Sequence, residues 1–187
     1  MLSKNSWKNF VITSIKKELN KNSTNDLLRW RFKALQKTTK FPLGIKVIIG
    51  FHLFNIILWT IGQGGAVISY DVVAQWGLQD PRAVIDPAIV EVNRGIGLAD
   101  MMTILPLFII AVIGLWHLKF FGAVASWMAL GITLYWPVVF FCSQYFYGQA
   151  GIKYWPTQMS TNIFLSILHL MAGWASWYLF KNHKQLR

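Results

Sequence analysis

The chain has 187 residues, 55% hydrophobic and 13% charged, with a formal net charge of +11. Such a composition leaves little material for a soluble domain beyond its apolar segments, so one membrane domain is expected. Eleven of the eighteen Lys and Arg residues lie in the first 46 positions, beside a predicted membrane span, which points the positive charge at a lipid surface rather than at nucleic acid.

Within residues 1–46, Trp7, Val11, Ile15 and Leu19 recur at helical spacing among Lys8, Lys16 and Lys17. Leu27, Leu28, Phe32 and Leu35 fall on one side of a second segment, behind a Ser23 and Asp26 pair that resembles a capping box. This stretch is predicted to form basic amphipathic helices in the cytoplasm or at the membrane interface. It has no apolar core of signal-peptide type, so the first span is expected to act as an uncleaved anchor.

Four apolar spans follow, at 47–69, 96–116, 121–143 and 161–180, each near the roughly 20 residues a helix needs to cross hydrocarbon. The predicted fold is an all-α integral membrane protein, a four-transmembrane-helix antiparallel bundle over 47–180 with N-terminal amphipathic helices and a basic tail at 181–187. Alternating the spans puts fifteen basic residues on one side, the eleven of the N-terminal segment with Lys119, Lys181, Lys184 and Arg187. Only Arg82, Arg94 and Lys153 fall on the other, a positive-inside pattern that predicts cytoplasmic or matrix-side termini. A bacterial or archaeal cytoplasmic membrane, or an organelle inner membrane, is the expected location. Tyr70, Trp76, Tyr145, Tyr147, Tyr154 and Trp155 gather at the predicted outer face, and Trp116, Trp174, Trp177 and Tyr178 at the inner one.

The outer connection, 70–95, carries Asp71, Asp80, Asp86 and Glu91. Asp80-Pro81 and Asp86-Pro87 each place a capping side chain before a residue suited to the first helical position. The second helix is predicted to start at Pro87, with Glu91 and Arg94 paired above the membrane. Only His117 to Lys119 separate spans two and three, which makes those helices antiparallel neighbours.

Polar residues inside the spans must face other helices or a wet cavity. His52, Asn55, Trp59 and Gln63 form one such stripe, and Asn162, Ser166, His169, Gly173 and Ser176 another. Gly122, Ser126, Ala129 and Thr133 form a third, of small residues that admit a close neighbour. Asp100 stands apart, because a carboxylate about one turn below the outer interface costs several kcal/mol if charged and unpaired. Pro106 and Pro137 free carbonyls and favour kinks around it. A ligand site for a small molecule, cation or proton is therefore expected at Asp100, with Asn93, Gln63, Tyr135, Trp136, Asn162 and Ser166 in reach.

His52, His169 and His117 are the candidates for a haem b site. A vertical offset on the order of 8 Å between His52 and His169 at helical rise weighs against that pairing, and no cofactor is predicted. The lone Cys142 and the lack of a Cys and His cluster predict no metal site. No nucleophile elbow, zinc-protease pair, phosphate loop or dinucleotide fingerprint occurs, so no catalytic residue is assigned and an enzyme is not expected. The leading expectation is a non-catalytic subunit or assembly factor whose partners are lipid and other membrane proteins. A small-molecule, cation or proton binding or transport protein is the alternative, and a haem or quinone redox protein the third.

Overall fold

A computed structural model describes residues 41–186, so the expected N-terminal amphipathic helices lie outside the described residues. Within them all regular structure is helical. Four helical stretches are long and apolar enough to cross a membrane: Leu43–Gln75, Pro87–Trp116, Phe120–Ala150 and Met159–Gln185.

The first stretch is composite. α1 (Leu43–Trp59) begins directly after Pro42 and passes through a π-helical turn, Thr60–Gly64, into α2 (Gly65–Gln75). Gly62, Gly64 and Gly65 hold the helix only weakly, and a π-turn absorbs one extra residue where helix propensity is low. A second irregularity follows at Ser69, whose backbone (φ −151°, ψ 85°) leaves helical geometry. α2 ends in a left-handed cap: Gly77 (φ 74°) lets its own N–H reach the Ala74 carbonyl at 3.0 Å and the Leu78 N–H reach Val73 at 3.1 Å.

The two Asp-Pro pairs diverge. Asp86 caps α3 (Pro87–Trp116), its Oδ1 accepting from the Ala88 N–H at 2.8 Å with Pro87 in the first turn. Asp80-Pro81 instead precedes a single 3-10 turn, Arg82–Val84, that no side chain caps. One such turn ends at the extended Ile85, leaving the Asp80 carboxyl free for another use. The irregular part of the outer connection thus narrows from the expected 70–95 to 76–86, because helix continues on both flanks.

α3 turns into α4 (Phe120–Ala150) through His117 to Lys119, with Leu118 in the left-handed region (φ 51°) and the Lys119 N–H closing onto Gly114 at 2.8 Å. Beside that turn the helices nearly touch. A Cβ on Gly114 would lie 2.4 Å from the Gly122 Cα. α5 (Met159–Asn182) runs past Phe180 into a final 3-10 turn, His183–Gln185, so the expected tail begins inside a helix end. Pro106 and Pro137 sit within unbroken helices, and the departures from α geometry fall in the first stretch.

Lipid supplies no hydrophobic drive between helices, so close contact comes from small residues and hydrogen bonds. Ala111, Ala123, Ala125, Ala129, Ala172 and Ala175 are accordingly buried. α3 meets α4 at Gly114 and Gly122, and again where Phe108 and Ile104 share a cluster with Ala129. α1 meets α3 where His52 packs on Phe108 and Trp59 bonds Asp100. Tyr178 of α5 lies over Gly44 of α1, and Phe164 meets Phe54.

Above these contacts sits a polar layer. Arg82 pairs with Asp71 at 2.9 Å and Glu91 at 3.5 Å, and its guanidinium lies 4.9 Å over the Tyr70 ring. Arg94 pairs with Glu91 at 2.8 Å, and Lys153 donates to the Ala83 carbonyl at 2.7 Å. The Lys153 carbonyl in turn accepts from the Asp86 N–H at 2.7 Å.

Candidate ligand site

Asp100 is 6% exposed on α3, and its Oδ2 accepts a hydrogen bond from the Trp59 indole at 3.1 Å. The Trp136 indole of α4 also approaches this carboxyl. The Trp59 donor supplies a partner that hydrocarbon lacks. Trp59 is held in place by an edge-on contact with Phe108, ring centroids 5.9 Å apart.

These two tryptophans are also part of the wall of a cavity of about 440 Å³, within the usual size range of small-molecule sites. Gln63, Asn93 and Trp136 line it, together with Trp59, Thr133 and Asp80. Asp100 does not border the space; it stands behind the indoles. The connection after α2 folds back to form another part of the wall, where Gln79 donates to the Gly62 carbonyl of the π-turn at 3.5 Å. Burial pushes the Asp80 carboxyl above the ordinary carboxylate range. Gly97 is needed for the close approach behind the site, since a Cβ there would lie 2.7 Å from the Gln63 backbone oxygen.

The remaining polar residues are dispersed. Tyr135 is exposed midway along α4, on the face away from the cavity. Ser166 is exposed and returns its hydroxyl to the Asn162 carbonyl at 2.8 Å. The Asn162 Oδ1 is buried without a hydrogen-bond partner among the described residues. α5 instead contributes Ser160, Thr161, Phe164, Leu165 and Leu168 to the lining. Asp80 and Gln79 escaped the sequence reading because nothing local distinguishes a loop acid that folds inward. One signal was present: of the two Asp-Pro pairs, only Asp86 opens the long periodic helix.

The histidines do not gather. His52 is fully buried between Phe51 and Phe108, and its Nε2 lies 3.0 Å from the Ser126 hydroxyl. Its Nδ1 and the Oδ1 of Asn55, three residues along α1, have no hydrogen-bond partner among the described residues. His117 is exposed at the C-terminus of α3, and His169 is half-buried on α5. Among the described residues no three of His, Cys, Asp and Glu come together as a metal site. Comparison of the chain with protein-family models, with curated proteins and with solved structures finds no match.

Proposed function

We propose that this is an integral membrane protein of four antiparallel spans that binds a small molecule in the cavity walled by Trp59 and Trp136. The observation that carries the reading is the cavity itself, about 440 Å³ of space beside a buried carboxyl that the Trp59 indole holds in place. A site of that size with a few convergent polar groups is the usual form of a small-molecule pocket. The antiparallel order is supported by contacts that run in opposite sequence directions, Gly114 with Gly122 and Asp100 with Trp136, then Gly44 with Tyr178 and Phe54 with Phe164. The charge distribution supports a cytoplasmic or matrix-side location for both termini, which places the cavity toward the opposite face.

Native mass spectrometry of the gently solubilised protein tests the binding reading, alongside Leu165→Trp, which fills the cavity from α5. The expected result is a co-purifying small molecule on the wild-type chain that the variant lacks. An identical spectrum for both, with no thermal shift from a library of small organic molecules, would overturn it.

A second reading, an accessory subunit of a larger membrane complex, is favoured by Tyr135. This phenol is 66% exposed midway along a spanning helix, where hydrocarbon gives its hydroxyl no partner. A neighbouring subunit supplying an acceptor accounts for it. Co-purification of a stable assembly in mild detergent, weakened by Tyr135→Phe, is the expected result, and a monodisperse monomer from native membranes counts against it.

A further inference from the structure

We propose that the ligand of this cavity is an organic cation, with Asp80 as its counter-charge and the rings of Trp59 and Trp136 as its walls. This rests on the small-molecule reading above and adds the ligand's chemical class.

Charge is the first argument. The outer acids Asp71 and Glu91 are neutralised by Arg82 and Arg94, and Asp86 is occupied as a helix cap. Asp80 makes no ion pair among the described residues, and it is the acid that borders the cavity. Among the described residues, no Lys, Arg or His lines that space. Each outer cation is engaged elsewhere, Arg82 and Arg94 with carboxylates and Lys153 with the Ala83 carbonyl. An anionic ligand would meet an uncompensated carboxylate and no balancing cation among the described lining residues, whereas a cation supplies the charge that Asp80 lacks.

Aromatic geometry is the second. The Trp59 N–H edge is committed to Asp100, which lies outside the cavity, so the ring carbons are what this indole offers the space. Trp136 and Phe140, with centroids 6.2 Å apart, and Phe164 complete an aromatic lining. Aromatic rings attract a cation within about 6 Å of their centroids, most strongly when water is excluded, and Trp does so best. Amide groups of Gln63, Gln79 and Asn93 border the same space and provide acceptors for any N–H the cation carries. A largely apolar wall with one carboxylate suits a substituted ammonium, which carries its charge on a greasy and weakly hydrated body.

The test uses the full chain in lipid nanodiscs and calorimetric titration with three probes of similar shape. These are benzyltrimethylammonium, its neutral carbon isostere neopentylbenzene, and the anion phenylacetate. The expected result is binding of the ammonium in preference to both others, lost by about tenfold or more in Asp80→Asn and retained in Asp80→Glu. Binding of the neutral probe as tightly as the ammonium, abolished by Leu165→Trp, would overturn the cation assignment and leave the small-molecule reading standing. Binding of none of the three would overturn the cation assignment as well, and an empty native mass spectrum would then remove the small-molecule reading with it.

Discussion

Three buried or half-buried polar residues decide what the interior can do, and each has a different partner structure. Asp100 accepts from the Trp59 indole, so Asp100→Leu strands the Trp59 N–H and is expected to lower stability by about 1–3 kcal/mol, measured by thermal unfolding in detergent. Asp100→Asn keeps an acceptor and should cost less. The His52 Nε2 of α1 pairs with the Ser126 hydroxyl of α4. Ser126→Ala alone should destabilise, whereas Ser126→Ala with His52→Leu should recover most of the loss, because removing both members leaves no orphaned polar atom. Asp80 differs in that burial raises its carboxyl above the usual range without an ion pair. The folded state therefore holds the proton more tightly than the unfolded one, and stability falls as pH rises through the window above the ordinary value of 3.8. Asp80→Asn is expected to flatten that slope and to stabilise the unliganded protein near neutral pH, while weakening the ammonium probe. Tyr70 lies in the field of Asp80, with Arg82 and Asp71 about it, so the slope should be followed below the range where tyrosine ionises. A pH-stability curve identical in wild type and Asp80→Asn would remove Asp80 from this role.

At the level of helices, sequence and structure agree best where a local signal has a local consequence. Asp86-Pro87 starts α3, the Glu91 and Arg94 pair forms one turn later, and His117 to Lys119 turn α3 into α4. They diverge where two elements compete for one backbone. The glycine-rich Gly62, Gly64 and Gly65 give the π-turn that neither hydropathy nor helical periodicity signals. That turn carries a prediction: deleting Ile61 should remove the extra residue and restore α geometry locally, while the helix beyond keeps its register. The Gly62 carbonyl would then be drawn into the α-helical ladder and its bond from Gln79, which holds the connection against the cavity, lost. Cavity binding should disappear, read by the same titration, while insertion into the membrane persists. Glycines separate in the same way. Gly114→Ala and Gly122→Ala drive a methyl into facing backbone and should destabilise strongly, whereas Gly131→Ala and Gly173→Ala meet open space and should be tolerated. Unfolding midpoints of the four variants check this.

For the molecule as a whole, the apolar exterior is as telling as the interior. α5 buries only Leu168, Ala172, Ala175 and Leu179, turning Met159, Ile163, Ile167, Leu170 and Phe180 outward, as lipid contact requires. With Cys142 replaced by Ala, single cysteines at Gly77 and Leu118 should react with an impermeant thiol reagent from opposite faces of intact cells or vesicles. Labelling of both from one face would break the proposed topology. Length and hydropathy already imply four helices able to cross a membrane, because those properties depend on runs of residues against a medium of known thickness. Ligand chemistry is not of that kind. Asp80 on a loop, Asp100 on α3 and tryptophans on α1 and α4 acquire their roles only when the connection folds inward and the helices close around it. No spacing along the chain encodes a cavity, since the space is bounded by residues that become neighbours through packing alone.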